Sequence, residues 1–219
     1  MSLFEINKTE TLQKNAPLAQ RMRPQTLDEI LGQDHIIGQG KLLRRAIETD
    51  KLSSLIFYGT PGCGKTTIAS VIASVTNKFY ASLNAVTDGV AELRKVTANA
   101  EENLSMYGKQ TILFIDEIHR FNKGQQDALL PWVEKGLIVL IGATTQNPYF
   151  SLNPALLSRS MIFELKPLSK EDIAVLIERS CKDIKRGFGA YKLDVTPEAV
   201  EHLCTCSQGD ARIALNGLE

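Results

Sequence analysis

The stretch Gly59-Thr60-Pro61-Gly62-Cys63-Gly64-Lys65-Thr66 constrains this chain more than any other. It follows the apolar run Leu55-Ile56-Phe57-Tyr58 and precedes Thr67-Ile68-Ala69-Ser70-Val71-Ile72, so it joins a strand to a helix. Its spacing is G-x-x-x-x-G-K-[ST]. Glycines let the backbone turn tightly and bring successive N–H groups toward an anion, and the helix that follows directs its positive dipole end at the same point. Residues 59–67, Thr67 included, therefore read as a cradle for the phosphates of a nucleotide. In that cradle Lys65 reaches the β- and γ-phosphates and the Thr66 hydroxyl ligates magnesium.

The rest of the chain repeats the alternation. Apolar runs at 79–85, 111–115, 137–142 and 161–165 read as strands, and periodic segments between them read as helices. Unbroken runs such as Thr111-Ile112-Leu113-Phe114-Ile115 suit parallel strands covered on both faces. The expectation is an α/β fold with five parallel strands flanked by helices. Local signals set the details. Thr26 and Glu29 bracket a short helical turn, residues 41–50 form a helix, and Asp88 caps a helix that turns Val90, Leu93, Thr97 and Ala100 inward. Asn122 caps another helix that Pro131 should kink or end.

Beyond Pro167 no strand intervenes. Ser169 with Asp172 opens a helix carrying Ile173, Leu176, Ile177, Cys181 and Ile184 on one face. Thr196-Pro197 and Gly209-Asp210 open two more. The expected organisation is an N-terminal arm at 1–16, an α/β domain at 17–167 and a small all-helical lid at 168–219. The last helical pattern runs to Glu219 without a capping residue, which leads us to expect a longer protein and an incomplete lid.

Composition narrows the setting. The 219 residues carry 25 basic and 25 acidic side chains, and a net charge of zero does not suit a non-specific nucleic-acid binder. Any nucleic-acid contact must be local or come from a part of the protein outside this chain. Four cysteines show neither a disulfide framework nor paired zinc spacing. His202, Cys204 and Cys206 alternate on a helical segment that spreads them around its circumference. No apolar run is long enough to span a membrane. The expected location is the cytoplasm.

A second group of residues bears on chemistry. Asp116-Glu117 ends a buried apolar strand, where Asp116 can hold magnesium through a water and Glu117 can orient or deprotonate an attacking water. Asn84 ends the neighbouring strand, either holding Glu117 back from the water or serving as a turn asparagine. Thr145, favoured over Thr144, ends the fourth strand and faces the ligand crevice. Arg159 follows a helix at the domain edge, either projecting into a neighbouring subunit's nucleotide or forming an edge salt bridge. Arg212 opens the last helix and can contact the γ-phosphate.

Taken together, these motifs resemble the AAA+ P-loop ATPases. Walker A is residues 59–66, Walker B residues 112–117, sensor 1 lies in Ala143-Thr144-Thr145, the arginine finger in Leu157-Ser158-Arg159 and sensor 2 in Gly209-Asp210-Ala211-Arg212. The runs Asp116-Glu117-Ile118-His119-Arg120-Phe121-Asn122-Lys123, Gln125-Gln126-Asp127-Ala128-Leu129-Leu130-Pro131 and Gly142-Ala143-Thr144-Thr145-Gln146-Asn147-Pro148 are similar to the replication-associated recombination protein A (RarA/MgsA) family, related to the Werner-helicase-interacting protein. The resemblance covers about residues 17–219. It implies a Mg2+-dependent, DNA-stimulated ATPase of clamp-loader type at stalled or gapped replication forks, associated with the nucleoid. Implied partners are DNA with gaps, ends or forks, single-strand-binding protein, replisome components and further copies in a tetramer. It also implies an adenine pocket built from Leu18, Arg23, Pro24 and Ile36. Clamp-loader subunits and Holliday-junction branch-migration motors share parts of the pattern. A nucleotide-switched binding module with little turnover is the alternative outside the enzyme class.

Overall fold

The computed structural model describes residues 16–191 and 193–219. The arm expected at 1–16 lies outside the described residues apart from Ala16. Five strands form one sheet: β1 (Ser54–Gly59), β2 (Phe79–Asn84), β3 (Thr111–Asp116), β4 (Ile138–Thr144) and β5 (Ser160–Leu165). The order is β2-β3-β4-β1-β5, with every pairing parallel. Three helices precede β1: α1 (Leu18–Arg21), α2 (Asp34–Ile37) and α3 (Leu42–Glu48). Parallel pairing needs a crossover between strands, which explains the helices in the intervening sequence, α4 (Lys65–Val75), α5 (Val90–Tyr107), α6 (Lys123–Glu134), α7 (Pro148–Ser151) and α8 (Pro154–Leu157). Among the described residues no helix is long and apolar enough to cross a membrane.

Side-chain alternation along the strands builds two cores. Leu55, Phe57, Ile112, Phe114, Val139 and Ile141 pack on one face with Ile68, Val71 and Ile72 of α4 and Leu43 and Ile47 of α3. Ile56, Leu113, Ile115, Ile138 and Leu140 pack on the other with Leu93 and Ala100 of α5, Leu129 of α6 and Leu156 of α8. All seven residues of β4 are buried, so the sheet centre is covered on both sides. At the edges β2 alternates and β5 is mostly half-buried.

Contacts divide the chain into two compact units. One is Gln25–Lys166, which holds the sheet. The other comprises Pro167–Glu219 with the described residues 16–24, which we had expected to open the α/β domain. The Leu18 N–H and the Arg21 guanidinium both reach the Glu219 carboxylate, at 3.0 and 3.2 Å. In this second unit α9 (Lys170–Lys182), α10 (Pro197–Ser207) and α11 (Ala211–Leu218) enclose Ile173, Ile177, Cys204 and Ala214. Ser169 and Asp172 form the expected capping box on α9, and Asp210 caps α11 through the Arg212 and Ile213 N–H groups.

Several local expectations are corrected. Gly89 caps α5, while the Asp88 carboxylate accepts from the Asn84 N–H, and Val90 is exposed. Pro131 sits inside α6 without ending it. Thr26 makes no side-chain cap; Glu29 accepts from the Gln25 N–H instead. Ile184 lies past the end of α9 and is 72% exposed. His202 and Cys206 face each other, with Nε2 and Sγ 3.5 Å apart, while Cys204 turns into the core. No three-ligand metal cluster occurs among the described residues.

Candidate active site

The loop after β1 is shaped by glycines where other residues would be strained. Gly62 and Gly64 have φ of 72° and 102°, in the left-handed region. Gly59 has φ of 154°, and a Cβ there would stand 2.3 Å from the Leu165 carbonyl oxygen. Thr60 and Pro61 form the exposed crown of the loop, and Cys63 is buried beneath it. Burial pushes the Cys63 thiol up, with Lys65 opposing. The chain enters α4 directly at Lys65, with Gly64 as its N-cap.

Lys65 is 7% exposed, and its ammonium donates to the Gly59 and Thr60 carbonyls at 2.8 Å each. The charge is thus held inside the curve of the loop. Thr66 and Thr67 follow in the first turn of α4, and Thr66 Oγ1 lies 3.5 Å from Asp116 Oδ2. A hydroxyl and a carboxylate oxygen converging beside an ammonium are donors that a hard Mg2+ and a triphosphate take. The residues present fit both groups.

Glu117 follows Asp116 at φ 52° and ψ 41°, a left-handed conformation uncommon for glutamate. Its N–H donates to Asp116 Oδ1 at 3.1 Å. The kink brings Glu117 Oε2 to 3.4 Å from the Thr145 hydroxyl and 3.3 Å from His119 Nδ1. Thr145 is exposed at the end of β4, whereas Thr144 is fully buried and bonds His119 Nδ1 at 2.8 Å. The two threonines therefore divide, Thr144 turning into the core and Thr145 toward the surface. The His119 side chain is only 4% exposed. Burial is the largest influence on its imidazole and holds it below the usual histidine range, with Glu117 opposing and Arg120 reinforcing.

Among the described residues no hydrogen bond joins Asn84 to Glu117. The Asn84 Oδ1 accepts from the Val86 N–H at 2.9 Å and its carbonyl closes the turn to Thr87 and Asp88. These are the contacts of a turn asparagine.

Arg159 lies at the other end of the sheet. Its guanidinium pairs with Glu134 at 2.7 Å and donates to the Ala155 carbonyl and the Ser158 hydroxyl. Arg159 and Glu134 line a cavity of about 460 Å³ with Ser54 and Ile138, the first residues of β1 and β4. The phosphate loop leaves the last residue of β1, five residues on and roughly 17 Å away along the strand. Arg159 is consequently not a ligand of its own chain's loop.

Arg212 is exposed in the first turn of α11, in the helical unit. Of the expected adenine-pocket residues, Leu18, Arg23 and Pro24 belong to the helical unit and Ile36 to the sheet unit. Leu18 and Ile36 are buried.

Two residues of the site were not singled out from sequence. His119 is one. The other is Gln33, fully buried, whose amide donates to the Cys63 carbonyl at 3.3 Å and the Lys166 carbonyl at 2.8 Å and accepts from the Lys166 N–H. It ties the phosphate loop to the segment leaving β5. A glutamine after Gly32 carried no spacing signal, because its partners are 30 and 133 residues away.

Residues 55–168 match the family described as "ATPase family associated with various cellular activities (AAA)". The chain is 49% identical over 203 residues to the replication-associated recombination protein A of Escherichia coli, covering 93% of this chain and 45% of that protein. It is 44% identical over 204 residues to the ATPase WRNIP1 of Dictyostelium discoideum, covering 93% of this chain and 23% of that one. Among solved structures, the Thermotoga maritima RuvB Holliday junction branch migration motor superposes with a TM-score of 0.70 at 27% identity, over 89% of this chain and 63% of that chain. The chain spans about half the length of the curated bacterial relatives it matches.

Proposed function

The chain belongs to the ATPase family associated with various cellular activities, and on that footing we propose that it hydrolyses ATP as a clamp-loader-type module acting on DNA at stalled or gapped replication forks. One observation carries the hydrolytic part. Lys65, Thr66, Asp116, Glu117 and Thr145 come from three separate stretches of chain, and hydrogen bonds and close approaches gather them at one end of the sheet.

The roles follow from the chemistry of each side chain. Backbone N–H groups of the loop and the Lys65 ammonium bind the triphosphate and offset its charge. Thr66 and Asp116 would hold Mg2+, which would supply positive charge to offset that of the triphosphate. Glu117, a carboxylate next to the magnesium-binding Asp116, accepts the proton of the attacking water. Thr145 donates to Glu117 and can donate to the water or the γ-phosphate. Arg159, remote from its own loop, stabilises developing charge at a neighbouring subunit's site. Arg212 reports the γ-phosphate to the helical unit, which serves as the lid.

The DNA-directed part is supported by 49% identity to a protein named for replication-associated recombination. The proposal includes DNA with gaps, ends or forks, single-strand-binding protein and replisome components as partners, a tetrameric assembly and a nucleoid setting. The identity to the RuvB motor is lower, at 27%.

The test is phosphate release from ATP with and without gapped or forked DNA, comparing the native protein with Glu117→Gln. We expect Glu117→Gln to bind ATP normally and hydrolyse it at least about 100-fold more slowly. Undiminished turnover would remove Glu117 from its role and overturn the reading.

A further inference from the structure

Glu117 needs a fixed rotamer to serve as a proton acceptor, and Asn84 does not supply it. The contacts around Glu117 Oε2 show what does. His119 Nδ1 stands 3.3 Å from that oxygen and 2.8 Å from Thr144 Oγ1. The Thr144 hydroxyl oxygen already accepts from the Gln146 N–H at 3.0 Å, and the Gln146 carbonyl is available to its proton at 3.4 Å. A hydroxyl so placed is an acceptor toward His119. Nδ1 is then a donor, shared between Thr144 and the Glu117 carboxylate. The opposite tautomer would aim a nitrogen lone pair at a carboxylate oxygen.

We propose that His119 is the positioning residue for Glu117: its Nδ1–H, anchored by buried Thr144, holds Glu117 Oε2 and leaves Oε1 directed at the attacking water. Three features make this a built arrangement. The His119 side chain is 4% exposed and Thr144 is fully buried, so neither drifts. The left-handed turn at Glu117 brings a residue two positions later back beside the carboxylate. The Thr145 hydroxyl, 3.4 Å from the same oxygen, completes a two-donor clamp on Oε2. Burial holds the imidazole below the usual histidine range, with Glu117 opposing.

The inference rests on the hydrolytic reading above, and its test separates the two. Asparagine places its amide nitrogen where Nδ1 stands, whereas glutamine places its amide nitrogen where Nε2 stands. In the native protein we expect His119→Gln to lower kcat about tenfold or more with the KM for ATP unchanged. His119→Asn should recover most of that loss. Equal activity for both variants and the native protein, with Glu117→Gln inactive, would overturn the positioning role alone. Equal loss in both would assign His119 a merely structural part and overturn it too. A measurement independent of turnover is the imidazole nitrogen NMR spectrum. We expect His119 as the Nδ1–H tautomer, with its Nδ1 resonance moved by Glu117→Gln. An Nε2–H tautomer, or a resonance blind to residue 117, would overturn the proposal even if ATP hydrolysis itself proved absent.

Discussion

Thr66 Oγ1 and Asp116 Oδ2 lie 3.5 Å apart although fifty residues separate them in the chain. Asp116 ends β3 and the phosphate loop leaves β1, with β4 between the two strands. Two strand spacings, roughly 10 Å, must therefore be bridged. The first turn of α4 does this, because its apolar face packs onto Ile112 and Phe114 of β3 as well as onto β1. Hydrophobic packing of one helix thus decides where two polar ligands meet.

That meeting point predicts a metal-dependent defect. Asp116→Asn keeps the shape and removes the charge that a divalent cation requires. Calorimetric titration should show ATP affinity reduced about tenfold or more in the presence of Mg2+. With the metal chelated, the variant and the native protein should bind alike. A defect of equal size in both conditions would place Asp116 outside the metal site.

Gln33 predicts a coupled loss of stability and binding. Gln33→Ala strips partners from the buried Cys63 carbonyl and from the part-buried Lys166 carbonyl and N–H. Unsatisfied buried groups of this kind cost about 1–3 kcal/mol each. Urea denaturation should register a loss of that order in the α/β unit, with weaker ATP binding because the loop is no longer tied to the end of β5. Unchanged stability would show that the amide is replaceable by water.

Arg159 predicts a separation between activity and stability. Its pair with Glu134 is exposed on both sides, at 41% and 49%, and such pairs contribute about 0–1 kcal/mol. Arg159→Ala should leave thermal unfolding nearly unchanged. In an assembly of subunits it should abolish most ATP turnover, and in isolated monomers it should change little. Equal loss in both states would put Arg159 in its own chain's site, against the geometry described.

The strands and the site motifs were legible in sequence because their causes are local. An apolar run with β-branched residues makes a strand covered on both faces, and glycines at positive φ make the phosphate loop. Ser169 with Asp172 and Asn122 with Gln125 marked helix starts, since a cap and its partner lie three residues apart. Failures occurred where a longer-range choice prevailed. Asp88 was free to cap α5 but was taken by the Asn84 N–H across the turn. Pro131 did not end α6, because packing by Leu129 and its neighbours outweighed the lost hydrogen bond. Ile184 fitted a helical period that α9 does not reach.

For Asn84 and His119 the difference is sharper. A sequence shows a histidine two residues after the glutamate, and an asparagine and two threonines far from it along the chain. It does not show which of them faces the carboxylate, because that depends on the left-handed turn at Glu117 and on the register of β3 against β4. By itself the sequence determined the phosphate loop, the acidic pair and the alternation of strands and helices, all properties of neighbours along the chain. Only the tertiary structure decided that Thr144 is buried while Thr145 is not, that Arg159 stands at the far end of the sheet, and that a histidine nitrogen stands 3.3 Å from the Glu117 carboxylate. Each of those is a distance between side chains set by sheet order and packing, which no spacing along the chain encodes.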